Sequence, residues 1–116
     1  MFEFLNFEDI EWKDVPRGYY LTDVKQHTLW HDPKTGATLA LMKFPKGVAD
    51  EMHTHEGTQI TIGLSGELLM PPNNDKLKLE PNMVGTAKSG GIHGGTMFTE
   101  ESIVLFFWDA STKPVK

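Results

Sequence analysis

The chain has 116 residues, 39% of them hydrophobic and 23% charged, with a formal net charge of −5 and no cysteine. This is the size of one domain able to bury its own core. Thiolate nucleophiles, disulfides, cysteine-held zinc and iron–sulfur clusters are excluded, and an acidic chain with no Lys/Arg-rich block argues against a nucleic-acid partner.

The chain opens with MFEFLNFEDIEW, which is acidic and has no basic residues ahead of an apolar run, so it does not read as a signal peptide. No apolar stretch approaches about 18 residues, so no membrane span is expected, and the expected location is the cytoplasm. Phe4–Glu11 is the segment able to make a helical turn, with Asn6 as its cap. Residues 1–25 read as an N-terminal arm. Phe2, Phe4, Leu5, Phe7 and Trp12 crowd it, and so apolar an arm predicts packing on a partner subunit, hence a homodimer.

Short strand-like runs follow: Tyr19–Leu21, Gln26–His31, Ala37–Phe44, Gln59–Leu64, Glu67–Met70, Lys76–Glu80, Val84–Ala87 and Ile103–Trp108. Asp32–Gly36 and Pro71–Asp75 carry the Pro, Gly, Asn and Asp of hairpin turns. Strands spaced by about ten residues predict an all-β sandwich or barrel, here over residues 26–110 with a tail at 111–116. Ile103–Trp108 is apolar on both parities, which predicts a strand between the barrel interior and a subunit interface.

The chemistry concentrates in HTHEGTQITIGLSG, residues 53–66. His53 and His55 are two apart, so on a strand they project from one face and can converge on one ion. Gln59 has the same parity. His93 follows the glycine-rich Ser89–Gly91 and is the third candidate ligand. His27 and His31 read as isolated histidines. Three imidazoles make a site for a divalent transition metal, with Gln59 either a fourth ligand or a hydrogen-bonding neighbour.

These residues resemble the cupins. The first cupin motif, G-x5-H-x-H-x3/4-E-x6-G, is matched by Gly47, His53, His55, Gln59 and Gly66, with Gln in place of Glu. The second, G-x5-P-x-G-x2-H-x3-N, is matched at Gly90 and His93. Asn82, Lys88 and Met97 stand where its first Gly, its Pro and its final Asn would be. Asn at 82 fits a left-handed backbone. The resemblance covers residues 26–110. It implies a double-stranded β-helix, the cupin jelly-roll barrel, with His53, His55, Gln59 and His93 around one iron, manganese, nickel or zinc ion inside. It does not imply one reaction.

A neutral ligand set leaves a divalent ion its full charge, which strengthens it as a Lewis acid and favours an anionic, oxygen-rich guest. By parity, Thr61 and Gly63 share the face of Gln59, and Gly63 is expected to leave room near the metal. The resemblance turns Ala40 and Met42 inward and Lys43 outward. Leu105 and Phe107 are expected inward from the last strand, with Asp109 at the rim. Together these make a small, mostly apolar pocket for a small organic molecule. No general acid or base stands out. Glu51, Glu56 and Asp109 flank the site in sequence.

The leading expectation is a mononuclear metalloenzyme acting on a small carbonyl or hydroxy compound, leaning to oxygen-dependent C–C cleavage by resemblance to three-histidine diketone-cleaving dioxygenases. The alternatives are a lyase or isomerase, of the hydroxynitrile-lyase or sugar-acid-processing type, and a non-catalytic binding cupin. Cupin hydroxynitrile lyases share the HTH-x3-Q pattern but carry a further histidine where this chain has Gly95.

Overall fold

In the computed structural model, the described residues are 2–16, 18, 20–51, 54–55, 57–69, 78–87, 94–109 and 112–113. They form twelve strands in antiparallel ladders: β1 (Lys13–Asp14), β2 (Lys25–His31), β3 (Thr38–Phe44), β4 (Gly47–Val48), β5 (Thr54–His55), β6 (Gln59–Ser65), β7 (Leu68–Leu69), β8 (Lys78–Leu79), β9 (Val84–Ala87), β10 (Met97–Phe98), β11 (Ser102–Trp108) and β12 (Thr112–Lys113). One turn of 3-10 helix spans Phe7–Asp9, and the Asn6 side chain accepts the Glu8 amide at its start, the capping expected of Asn6.

A six-stranded sheet runs β1-β2-β3-β11-β6-β9, a four-stranded sheet runs β4-β10-β7-β8, and β5 pairs with β12. The large sheet is built from the long runs of alternating or doubly apolar residues. The Asp32–Gly36 turn joins β2 to β3: the Asp32 carboxylate accepts the Lys34 amide, its carbonyl accepts the Gly36 amide, and Gly36 sits at φ 82°. Part of the N-terminal arm belongs to the barrel, because β1 pairs with Lys25 and Gln26 and Val24 is buried.

Register decides which side chains face inward. On β11, Val104, Phe106 and Trp108 lie opposite Met42, Ala40 and Thr38 of β3 and opposite Gly63, Thr61 and Gln59 of β6. This shared inner face supplies much of the core, where Phe44 stacks on Phe98 at 4.4 Å and Phe106 stacks on Trp108 at 5.2 Å. The outer face of the same strands is also apolar. One row across it runs Trp30, Leu39, Phe107, Ile60; the next runs Leu41, Leu105, Ile62, Val84. The two-sided burial expected of Ile103–Trp108 is therefore half met within the single chain: Val104, Phe106 and Trp108 are buried, while Ile103, Leu105 and Phe107 are only partly covered.

Candidate metal and substrate site

Two stretches of chain converge where the site is expected. β10 pairs with β4, and the ladder continues beyond them, with the Ala49 amide donating to the Thr96 carbonyl and the Gly95 amide donating to the Asp50 carbonyl. The Asp50 carboxylate accepts the Thr96 amide at 3.0 Å. Asp50 precedes His53 by three residues and Gly95 follows His93 by two, so the backbone joins the two motifs at this point. His53 and His93 themselves lie outside the described residues, as does Glu56. His55 lies on β5, its backbone paired with Thr112. Among the described residues no cluster of three His, Cys, Asp or Glu is formed.

Gln59 is the described member of the expected ligand set whose side chain is defined. It starts β6 on the inner face. Its Oε1 accepts the Trp108 indole N–H at 3.0 Å, and its Nε2 donates to the Thr61 hydroxyl at 2.9 Å. Both ends of the amide are thereby oriented. An amide oxygen has two acceptor positions, and the indole occupies one of them.

The expected pocket is rearranged. Leu105 and Phe107 do not face inward: Trp108 pairs with Gln59 and Phe106 with Thr61, so strict alternation puts Leu105 and Phe107 on the outer face. Ala40 and Met42 do face inward, but both are fully buried in the packed core with Phe44, Phe98 and Phe106 and border no solvent-accessible space. Gly63 does not open room either. A Cβ there would lie 2.8 Å from the Glu80 carbonyl carbon and closer still to its oxygen, so the space is already taken by the β8–β9 turn. The open position on this face is Gly85, which pairs with Thr61 and whose Cβ would meet no described atom within 4 Å. Asp109 is exposed at the strand end, as the rim position requires, but its carboxylate accepts the Thr58 amide at 2.7 Å. Among the described residues, this end of the barrel presents Gln59, Thr61, Gly85 and Trp108.

The two isolated histidines have structural partners. His27 Nδ1 donates to the Glu11 carbonyl at 3.1 Å, since a carbonyl can only accept. The Thr38 hydroxyl gives its proton to the Gly36 carbonyl, so at His31 it accepts from Nδ1–H at 2.9 Å.

No protein-family model matches the sequence, and no curated protein sequence does. Solved structures do. A candidate acetylacetone dioxygenase from Methylibium petroleiphilum PM1 superposes with a TM-score of 0.82 at 18% identity, covering 100% of this chain and 82% of that one. An acetylacetone dioxygenase from Acinetobacter johnsonii gives 0.75 at 20% identity, covering 93% and 74%. An RmlC-like cupin from Ralstonia eutropha JMP134 gives 0.75 at 21% identity, covering 93% and 68%. The chain has the cupin fold. Within that cupin barrel, two residues outside the expected set bond to Gln59 or to the segments flanking the histidines. Trp108 orients Gln59, and Asp50 ties the approach to His53 to the exit from His93. Trp108 was hidden by its neighbours, because a run apolar on both parities does not announce which residues face inward. For Asp50 the sequence held no signal beyond a carboxylate near a histidine pair.

Proposed function

We propose that this cupin is a mononuclear metal-dependent enzyme acting on a small carbonyl compound, with oxygen-dependent C–C cleavage of a β-diketone as the reaction. Gln59 carries the reading. A polar side chain on the inner face of an apolar barrel lowers stability unless it is satisfied, and this one is held by two dedicated partners at the strand end nearest the HTH segment. The likeness to two acetylacetone dioxygenases supports the choice of reaction.

The donor chemistry fits a divalent ion of the iron, manganese, nickel or zinc type. His53, His55 and His93 would hold it, and Gln59 would complete the set through the acceptor position of Oε1 that Trp108 leaves open. When bound, the ion supplies a Lewis-acidic centre that no carboxylate neutralises, suited to the paired oxygens of a diketone in its enolate form. Trp108 and Thr61 prevent rotation of the Gln59 amide, so its oxygen and not its nitrogen is presented. The stacked Phe106 and Trp108 rings make an apolar wall that excludes water from the carbon skeleton of the guest. Asp109 holds β11 to the start of β6 through the Thr58 amide, which gives it a bonding role at the rim.

The test begins with metal analysis of protein purified without added metal. About one ion per chain is expected, lost in His53→Ala. Iron-loaded protein is then given acetylacetone and related β-diketones in an oxygen electrode, where uptake is expected. Absence of metal in both proteins would sink the metalloenzyme reading. Metal without oxygen uptake on any diketone would assign the site to lyase, isomerase or binding chemistry instead.

A further inference from the structure

The hydrogen bonds around Gln59 run in one direction. The Trp108 indole can only donate, so the oxygen of the Gln59 amide faces it, and the amide nitrogen donates onward to the Thr61 hydroxyl. The Thr61 oxygen is thereby used as an acceptor, and its own proton is left for a further bond. Among the described residues no acceptor takes that proton. Thr61 is only 8% exposed, where an unused donor lowers stability. Space lies beside it. Thr61 pairs with Gly85 of β9 and Gln59 pairs with Ala87, so the two inward positions of β9 carry a single methyl group between them. A Cβ at Gly85 would meet no described atom within 4 Å. Gly85 and Ala87 are both partly exposed, whereas Ala40, Met42 and Val104 on the same face are buried. The inner face is thus closed at β3 and β11 and accessible at β9.

We propose that Thr61 and Gly85 form an oriented subsite for one end of the guest: the Thr61 hydroxyl donates to a carbonyl or enolate oxygen, and the alkyl group beside that oxygen lies over Gly85. This rests on the diketone reading above and adds which end of the guest the protein grips and how large that end can be. The direction of the hydrogen-bond chain sets the chemical class. A guest must bring an acceptor to Thr61, and one that offers only N–H groups finds no partner there. Negative charge on an enolate oxygen strengthens the bond. The space at Gly85 sets the size. The two selections differ in strength, because a guest without the oxygen leaves a buried donor unpaired, while one extra methylene changes affinity by about tenfold to a hundredfold. Phe106 pairs with Thr61 from the other side and closes the subsite with an apolar ring.

Calorimetric titration of iron-loaded protein under nitrogen, where no turnover occurs, tests the subsite with acetylacetone and its longer homologue heptane-3,5-dione. The wild type is expected to bind both. Thr61→Ser keeps the hydroxyl and should bind both within about threefold of wild type. Thr61→Val has the same shape without the donor and should bind both at least about tenfold more weakly at saturating metal. It also frees one end of the Gln59 amide, so its metal affinity is measured separately by competition with a chelator. A Thr61→Val protein that loses metal affinity but binds the diketones like wild type uses Thr61 only to support Gln59, which overturns the proposal. Gly85→Val fills the space from β9, leaves the bonds of Gln59 in place, and decides the matter if Thr61→Val does not fold by circular dichroism. It should weaken heptane-3,5-dione at least about tenfold more than acetylacetone. Equal losses for the two, or none, overturn the placement over Gly85. Loaded wild type that binds neither diketone overturns the diketone reading and the subsite with it; wild type that binds both, with binding unchanged in Thr61→Val and Gly85→Val, overturns the subsite alone.

Discussion

Gly63→Ala separates a glycine kept for packing from one kept to make room for a guest. A methyl there would lie 2.8 Å from the Glu80 carbonyl carbon and nearer to its oxygen, so the β8–β9 turn would have to retreat by roughly an ångström to restore ordinary contact. The turn is tied to Gly63 itself: the Gly63 amide donates to Met83 O at 3.1 Å and the Asn82 amide donates to Gly63 O at 3.2 Å. Asn82 holds a left-handed φ of 71°, so its conformation has little freedom to adapt. Losing both hydrogen bonds costs about 2 kcal/mol, and the remaining overpacking adds about 1–2 kcal/mol. The sum of about 3–4 kcal/mol is a large share of the stability of a domain this size, and corresponds to a fall in Tm of about 12 °C. Urea unfolding followed through the three tryptophans measures it. Gly85→Ala, one strand away with open space at its Cβ, is the control and should stay within about 0.5 kcal/mol of wild type. A Gly63→Ala protein as stable as wild type, or a Gly85→Ala protein equally damaged, would refute the packing account.

Trp108→Phe removes the donor to Gln59 while keeping the ring stack, so stability should fall by about 1–2 kcal/mol and metal affinity with it; unchanged affinity by competition with a chelator would mean that the indole does not orient the ligand. Gln59→Glu should retain metal and raise the pKa of metal-bound water by adding a negative ligand, and an unchanged value would argue that residue 59 does not touch the ion. Asp50→Ala should lower stability by about 1.5–3 kcal/mol, while Asp50→Asn, which can still accept the Thr96 amide, should recover much of it; equal losses would point to charge instead of the hydrogen bond. The hydrogen bond and the charge of Asp14 hold the pKa of the exposed Lys25 above its ordinary value. That contribution is present below the unfolded-state pKa and is lost as pH rises through the folded one, so wild type and Asp14→Asn should converge in stability above about pH 10.5. A gap that widens with pH would contradict this assignment.

Much of the fold was legible because it rests on local chemistry. The alternation and spacing of the long runs located β2, β3, β6, β9 and β11 to within a residue or so. The Asn6 cap, the Asp32–Gly36 turn and the left-handed Asn82 follow from side chains that each have one favoured backbone setting. The two-residue strands β1, β4 and β10 carry no periodicity to read: β1 pairs on the long β2, while β4 and β10 pair with each other in a sheet of two-residue strands. Gly63 shows a different limit. Its residue type announced that a side chain was unwelcome, but what excludes it is the Glu80–Pro81 backbone, distant in sequence and invisible to strand parity. Gln59 and Thr61 share the inner face, as strand parity from one to the other predicts, whereas in an all-apolar run Leu105 and Phe107 had no signal to fix theirs.

β11 shows why register matters more here than composition. A slip of one residue would exchange Phe107 for Trp108 on the inner face without changing the hydrophobicity of either side. Hydrophobic burial alone therefore cannot hold this strand in place. The hydrogen bonds do. At one end, Trp108 donates to Gln59, while Asp109 accepts the Thr58 amide at its carboxylate and donates its own amide to the Thr58 carbonyl at 3.3 Å. At the other end, a bulge between Ile103 and Val104 breaks the ladder, and the Ile103 amide turns to the Ser65 hydroxyl at 3.2 Å. The polar groups at this end thus have a structural role. They choose one of two nearly equivalent apolar registers, and that choice presents Trp108 to the amide of Gln59 and leaves Leu105 and Phe107 facing out.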